Sequence, residues 1–146
     1  NLTLNQSKKL FLQIHSPKEF SKLNYSSETQ TIELFRYQSP NPVSLTMISS
    51  GQRAAIALSI FLTLNKNIDK GPKLILLDDP VIFADDLNVL SFFDFLRRMA
   101  QEGGRQIFFA TANEKVASLF RRKFRFFGED FVDIDLFHKS SIKKTG

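Results

Sequence analysis

Cysteine is absent from the 146 residues, which excludes disulfides and thiolate metal sites and suits a reducing, cytoplasmic setting. Tryptophan is absent too, while phenylalanine occurs sixteen times, an aromatic balance that predicts packing rather than chemistry. The longest apolar run, Ala54–Leu64, falls short of the roughly 18–20 residues a membrane-spanning helix needs. No secretory signal is visible. Heptads and internal repeats are missing, so no coiled coil lies within these residues. Neither GxxxxGKS nor GxxxxGKT occurs, so the loop that cradles nucleotide phosphates is missing. These absences leave a soluble, intracellular chain, the size of one domain and apolar enough to bury a core.

The formal charge is +5, a balance compatible with a polyanion partner or with plain solvation. The sequence starts at Asn1 rather than Met, so it reads as a piece whose motifs have partners upstream.

Two patterns divide the chain. Up to about residue 45 it reads as β-rich: "KLFLQI" (Lys9–Ile14) and "TIELFRY" (Thr31–Tyr37) carry strand residues. "SPKEF" (Ser16–Phe20) could open a short helix, and "QSPNPVS" (Gln38–Ser44) reads as a linker. From Ser49 helix and strand alternate. Ser49–Asn65 predicts a buried helix, and "KLILL" (Lys73–Leu77) a strand covered on both faces. Asp85–Gly104 predicts an amphipathic helix ended by Gly103–Gly104, with Asn88, Ser91, Asp94, Arg98 and Gln101 as its polar stripe. "RQIFFAT" (Arg105–Thr111) predicts another buried strand, Asn113–Phe124 a helix and Phe131–Phe137 a last strand. A flexible, lysine-rich tail covers 139–146. Helices between apolar strands argue for an α/β sheet, largely parallel.

Two stretches can carry chemistry. "LILLDDP" (Leu74–Pro80) ends an apolar strand in Asp78 and Asp79, at the sheet edge where ligands bind in open α/β folds. Successive strand residues face opposite sides, so one carboxylate can hold Mg²⁺ and the other face a reacting water. Equally, Asp79 and Pro80 can simply stop the strand. A phospho-acceptor receiver domain also opens with such an acidic pair, but its later Asp, Thr and Lys come in another order, and that reading is rejected. "ISSGQR" (Ile48–Arg53) fits a capping box, with Ser49 and Gln52 satisfying each other's backbone N–H. The same helix tip can hold a phosphate, with Gly51 permitting close approach and Arg53 adding charge.

In order and spacing these stretches resemble the second half of an ABC-type ATPase head, most like the SMC, RecN and SbcC group of DNA-repair and chromosome ATPases. "ISSGQ" (Ile48–Gln52) resembles the signature motif LSGGQ, "LILLDDP" resembles Walker B, and "DDPVIFAD" (Asp78–Asp85) runs to the D-loop aspartate. The likeness covers about Thr46 to Phe124. It implies a P-loop NTPase fold, here the C-terminal lobe of the head with an N-terminal β-hairpin-like region: one partial domain, with a lead-in over 1–45 and the motif lobe over 46–138. It further implies that Ser49, Gly51 and Gln52 face the γ-phosphate of ATP on the opposite subunit, that Asp78 supports Mg²⁺, and that Asp85 crosses the dimer interface.

The departures are specific. Ser50 replaces the signature's first glycine. Asp79 stands where the family has its catalytic glutamate and is one methylene shorter. Ala112 stands at the switch histidine, with Asn113 beside it, able to donate to a γ-phosphate or to cap the next helix. With no phosphate loop, the chain is expected to need the N-terminal half of its head, then to form a homodimer through sandwiched ATP, acting as an ATPase only in that state. DNA is an implied partner and a membrane is not. The rival expectation is a non-hydrolysing, dimer-forming scaffold. "FRRKFRFF" (Phe120–Phe127) suits a nucleic-acid contact or, equally, a helix whose cations are wet and whose rings pack inward. His15 and His138 have no companions at metal-ligand spacing.

Overall fold

The computed structural model describes residues 2–14, 19–81, 86–136 and 142–144. Buried Ser7, Leu10, Phe11 and Ile14 recur at helical spacing, and they form one face of α1 (Leu2–Ile14). The strand expected over Lys9–Ile14 is therefore a helix: six residues can be read at period two, but the burial repeats at three and four. Of the short helix expected over Ser16–Phe20, residues 16–18 lie outside the described residues and Phe20 opens a strand.

The hairpin-like region is real and its second strand falls where expected, but its first strand uses other residues. β1 (Phe20–Ser26) pairs antiparallel with β2 (Thr31–Arg36), from Phe20 opposite Arg36 to Ser26 opposite Thr31. A third strand, β3 (Pro42–Ser44), adds to β2 within the stretch expected to be a linker. It is an edge strand, where a proline without an N–H is tolerated.

α2 (Ser50–Lys66) leads to β4 (Leu74–Asp78), α3 (Asp86–Gly103), β5 (Gln106–Ala110) and α4 (Glu114–Phe124). β4 and β5 pair in parallel, Leu74 opposite Gln106 through Asp78 opposite Ala110, with α3 as the crossover. α3 stops where Gly104 takes φ 57°, a left-handed conformation that glycine adopts without strain. Of its expected polar stripe, Arg98 and Gln101 are exposed, whereas Asn88 is buried. β6 (Val132–Ile134) pairs antiparallel with β7 (Ile142–Lys144), so three residues of the expected tail are strand. The fold is mixed α/β, with its parallel pairing in β4–β5.

Two clusters share the core. The smaller joins Phe11, Phe20, Leu23, Leu34, Ile48 and Ile56 between α1, the hairpin and α2. In the larger, Ile75 and Leu77 of β4 pack against Val89, Phe92, Phe93 and Leu96 of α3 and Val116 and Phe124 of α4. α1 and α2 serve both, since Phe11 and Ile56 face one cluster while Leu10, Ile14 and Leu62 face the other.

The strands β4 and β5 are not covered on both faces as expected. Ile75 and Leu77 are buried, yet Leu76 is 64% exposed and its cross-strand partner Phe108 51%. One face carries the core and the other is bare. Among the described residues β4 and β5 also each keep an edge without a partner strand.

Candidate functional site

The start of α2 is a complete capping box. The Ser49 hydroxyl accepts from the Gln52 N–H at 3.2 Å, and Gln52 Oε1 accepts from the Ser49 N–H at 3.0 Å. Arg53 N–H reaches the Ser49 carbonyl at 3.0 Å. Among the described residues this leaves the N–H groups of Ser50 and Gly51 without a partner, while the Ser49 hydroxyl keeps a proton to donate. Ser49 and Ser50 are exposed and Gly51 is half-buried. Capping and anion binding thus use different atoms, and the helix tip can do both.

The neighbouring side chains are more occupied than the sequence suggests. Gln52 Nε2 donates to Glu19 Oε2 at 2.7 Å, and Glu19 Oε1 accepts from Arg36 Nε at 2.6 Å. Glu19, just before β1, thereby ties the helix tip to the hairpin. The Arg53 guanidinium turns back on its own loop, donating to the carbonyls of Ile48 at 2.7 Å and Leu45 at 3.4 Å.

The second cluster lies at the C-terminal edge of the parallel pair. Asp78 is exposed, and among the described residues its carboxylate has no partner. Asp79 is half-buried at φ 42°, a left-handed conformation that Asp tolerates better than most residues. Its N–H donates to the Ala110 carbonyl at 2.9 Å, carrying the ladder one residue past β4. Its Oδ1 accepts two bonds, from the Thr111 hydroxyl at 2.6 Å and the Ala112 N–H at 3.2 Å. Asn113 caps α4, its Oδ1 accepting from Lys115 N–H at 3.0 Å and Val116 N–H at 3.2 Å. A cleft of about 280 Å³ is lined by Asp79, Val81, Thr111, Ala112, Asn113 and Val116.

Asp79 and Asn113 therefore share one cleft, with Asp78 adjacent in sequence, whereas Ser49, Ser50, Gly51, Gln52 and Arg53 do not line it. Asp85 lies outside the described residues. Sequence reasoning missed Glu19 and Thr111. For Thr111 a signal existed: a hydroxyl residue at the end of an apolar strand predicted to run beside an acidic strand end. For Glu19 none did, because the contact spans 33 positions.

The aromatic–basic stretch resolves into core and surface. Phe120 stacks on Phe109 (4.4 Å between centroids, 15° between planes) and on Phe124 (4.0 Å, 8°), and meets Phe93 edge-on at 5.1 Å. Lys123 pairs with Asp94 at 2.7 Å. The hydrogen bond from Arg121 to Glu114, helped by the charges of Asp133 and Asp135 and opposed by slight burial, raises the Arg121 pKa. Arg122 and Arg125 remain exposed.

No family model and no curated protein matches the chain. Solved structures do. An SMC ATPase head studied for ATP-driven dimerisation and DNA-stimulated activation superposes with a TM-score of 0.62 at 18% identity, over 80% of this chain and 71% of that one. The Smc head of Pyrococcus furiosus, with an extended coiled coil and the C-terminal domain of ScpA, gives 0.59 at 19%, over 80% and 29%. An SmcHead bound to the C-winged helix domain of ScpA gives 0.61 at 20%, over 80% and 36%. The chain has the fold of an SMC ATPase head. It spans about a third of the length of the last two structures, and the likeness speaks for fold alone. No described helix is long and apolar enough to cross a membrane.

Proposed function

We propose that these residues are the C-terminal part of an SMC-like ATPase, completed by an N-terminal half that brings the phosphate loop. The observation that carries the reading is an exposed Asp78 carboxylate, unpartnered among the described residues, at the C-terminal edge of the parallel pair in an SMC-head fold. A free carboxylate at that edge fits Mg²⁺, which retains most of its water and takes one or two protein oxygens. The N–H groups of Ser50 and Gly51, unpartnered among the described residues, fit phosphate oxygens together with the Ser49 hydroxyl.

Bound Mg-ATP supplies the reactive phosphoanhydride and the cation that screens its charge. In the dimer, the Ser49–Gly51 tip of one head donates to the triphosphate held by its partner. Asp79 orients the attacking water, and Asn113, already spent as a helix cap, contributes at most its amide protons. Gln52 and Arg53 act by holding the tip in shape. Asp85 serves the interface between heads. Nucleotide joins the heads, turnover separates them, and DNA is the substrate on which a cytoplasmic cycle of this kind operates.

A second reading has its own observation. Asp79 Oδ1 is taken by Thr111 and Ala112, and Ala112 leaves no charged group at the switch position. That favours a scaffold that pairs without turnover. ATPase assays on the complete protein separate the two. Loss of turnover in both Asp79→Ala and Ser49→Arg supports the ATPase; a wild type without turnover supports the scaffold, and turnover unchanged in both variants removes the motif assignment. The residues 1–146 by themselves are expected to bind Mg-ATP weakly, and micromolar affinity by titration calorimetry contradicts the split site.

A further inference from the structure

Thr111 stands between the acidic strand end and the start of α4. Its hydroxyl accepts from the Asn113 N–H at 3.1 Å and donates its single proton to Asp79 Oδ1 at 2.6 Å, since an ionised carboxylate only accepts. The Ala112 N–H adds a second donor to the same oxygen. Asn113 in turn holds the first turn of α4 through Lys115 and Val116. The carboxylate is therefore clamped through one oxygen to a capped helix, while among the described residues its Oδ2 has no partner beside the cleft. Clamping by one edge leaves rotation about the side chain little freedom, so the second oxygen has a fixed aim.

We infer that Thr111 is a positioning residue that aims Asp79 Oδ2 at the water of ATP hydrolysis, an inference that rests on the ATPase reading above. The clamp also offers a physical answer to the short side chain. An aspartate reaches less far than a glutamate and gains most from being held in one orientation, because misplacing a reacting group by about 1 Å can cost about 100-fold. The left-handed backbone at Asp79 and the Thr111 hydroxyl act together to set where the oxygen lies.

The test uses the complete protein, with Thr111→Val, Thr111→Ser and Asp79→Ala. Thr111→Val keeps the shape and removes the proton donor; we expect kcat to fall about 10–100-fold with KM for ATP within about twofold, the pattern of an interaction made in the transition state. Thr111→Ser retains the hydroxyl and should hold kcat within about threefold. A readout without nucleotide is amide hydrogen exchange at Ala112, which Thr111→Val and Asp79→Ala should both quicken and Thr111→Ser should leave slow. Wild-type kcat in Thr111→Val with an inactive Asp79→Ala overturns the inference and leaves the ATPase reading standing. Full turnover in Asp79→Ala overturns the assigned role of Asp79 and this inference together. Equal loss in Thr111→Ser and Thr111→Val, with exchange unchanged in both, also overturns it.

Discussion

Ser49 caps α2 and, in the proposed function, also donates to a phosphate, and a single substitution separates the two roles. Its oxygen accepts from Gln52 N–H, a role that Asp performs as well as Ser at a helix N-cap. A carboxylate at the tip also suits the positive end of α2, but it repels a phosphate where a hydroxyl donates to one. Ser49→Asp should therefore leave the unfolding midpoint within about 0.5 kcal/mol of wild type while abolishing ATP-dependent pairing of complete heads. Ser49→Ala should cost about 1 kcal/mol. Chemical denaturation and light scattering with a slowly hydrolysed nucleotide measure the two effects. Pairing that survives Ser49→Asp removes the helix tip from the nucleotide site.

At the scale of elements, the join between α2 and β5 rests on one buried arginine. Arg105 donates through Nε to Asn65 Oδ1 at 2.7 Å, and through Nη2 to the carbonyls of Asn65 and, at 3.1 Å, Lys66. These carbonyls end α2, so a cation both satisfies them and meets the negative end of the helix. Asn65 meanwhile donates to the Leu74 carbonyl at 2.9 Å and fixes the entry to β4. Arg105→Ala leaves buried acceptors unpaired and should cost about 2–4 kcal/mol in urea unfolding. Arg105→Lys should recover only part, because an ammonium lacks the guanidinium fork. Nothing in the sequence marked Arg105, which reads as an ordinary residue at a strand start. Local pattern did reveal α2 and its cap, α3 with its glycine stop, β5 and α4, because each carries a period and an end signal within its own span. α1 was misread because Leu10, Leu12 and Ile14 satisfy period two, and only Ser7, a polar residue inside the core, completes the helical face. The Glu19–Gln52 bond was not legible, since it joins elements far apart in sequence, while Thr111 had only the hint of a hydroxyl residue ending the strand beside the acidic one.

For the molecule as a whole, the parallel pair is the open part among the described residues. Parallel sheets ordinarily lie buried on both faces, yet Leu76 and Phe108 stand opposite one another in the open. The N-terminal half proposed above would supply strands and a covering layer for the open edges and the bare face. Replacing Leu76 and Phe108 together by Lys should change the unfolding midpoint of residues 1–146 little, since both side chains are more than half exposed there. In the complete protein the same pair should cost about 3 kcal/mol or more, as two apolar contacts become buried charges. Equal effects in both settings would mean that nothing covers this face.

The bare face also has a consequence for manufacture. An uncovered, β-rich apolar surface between open edges is a template for stacking with other nascent chains. Cells producing residues 1–146 alone should deposit much of the product as inclusion bodies. Supplying the proposed N-terminal half from a second plasmid should return it to the clarified lysate.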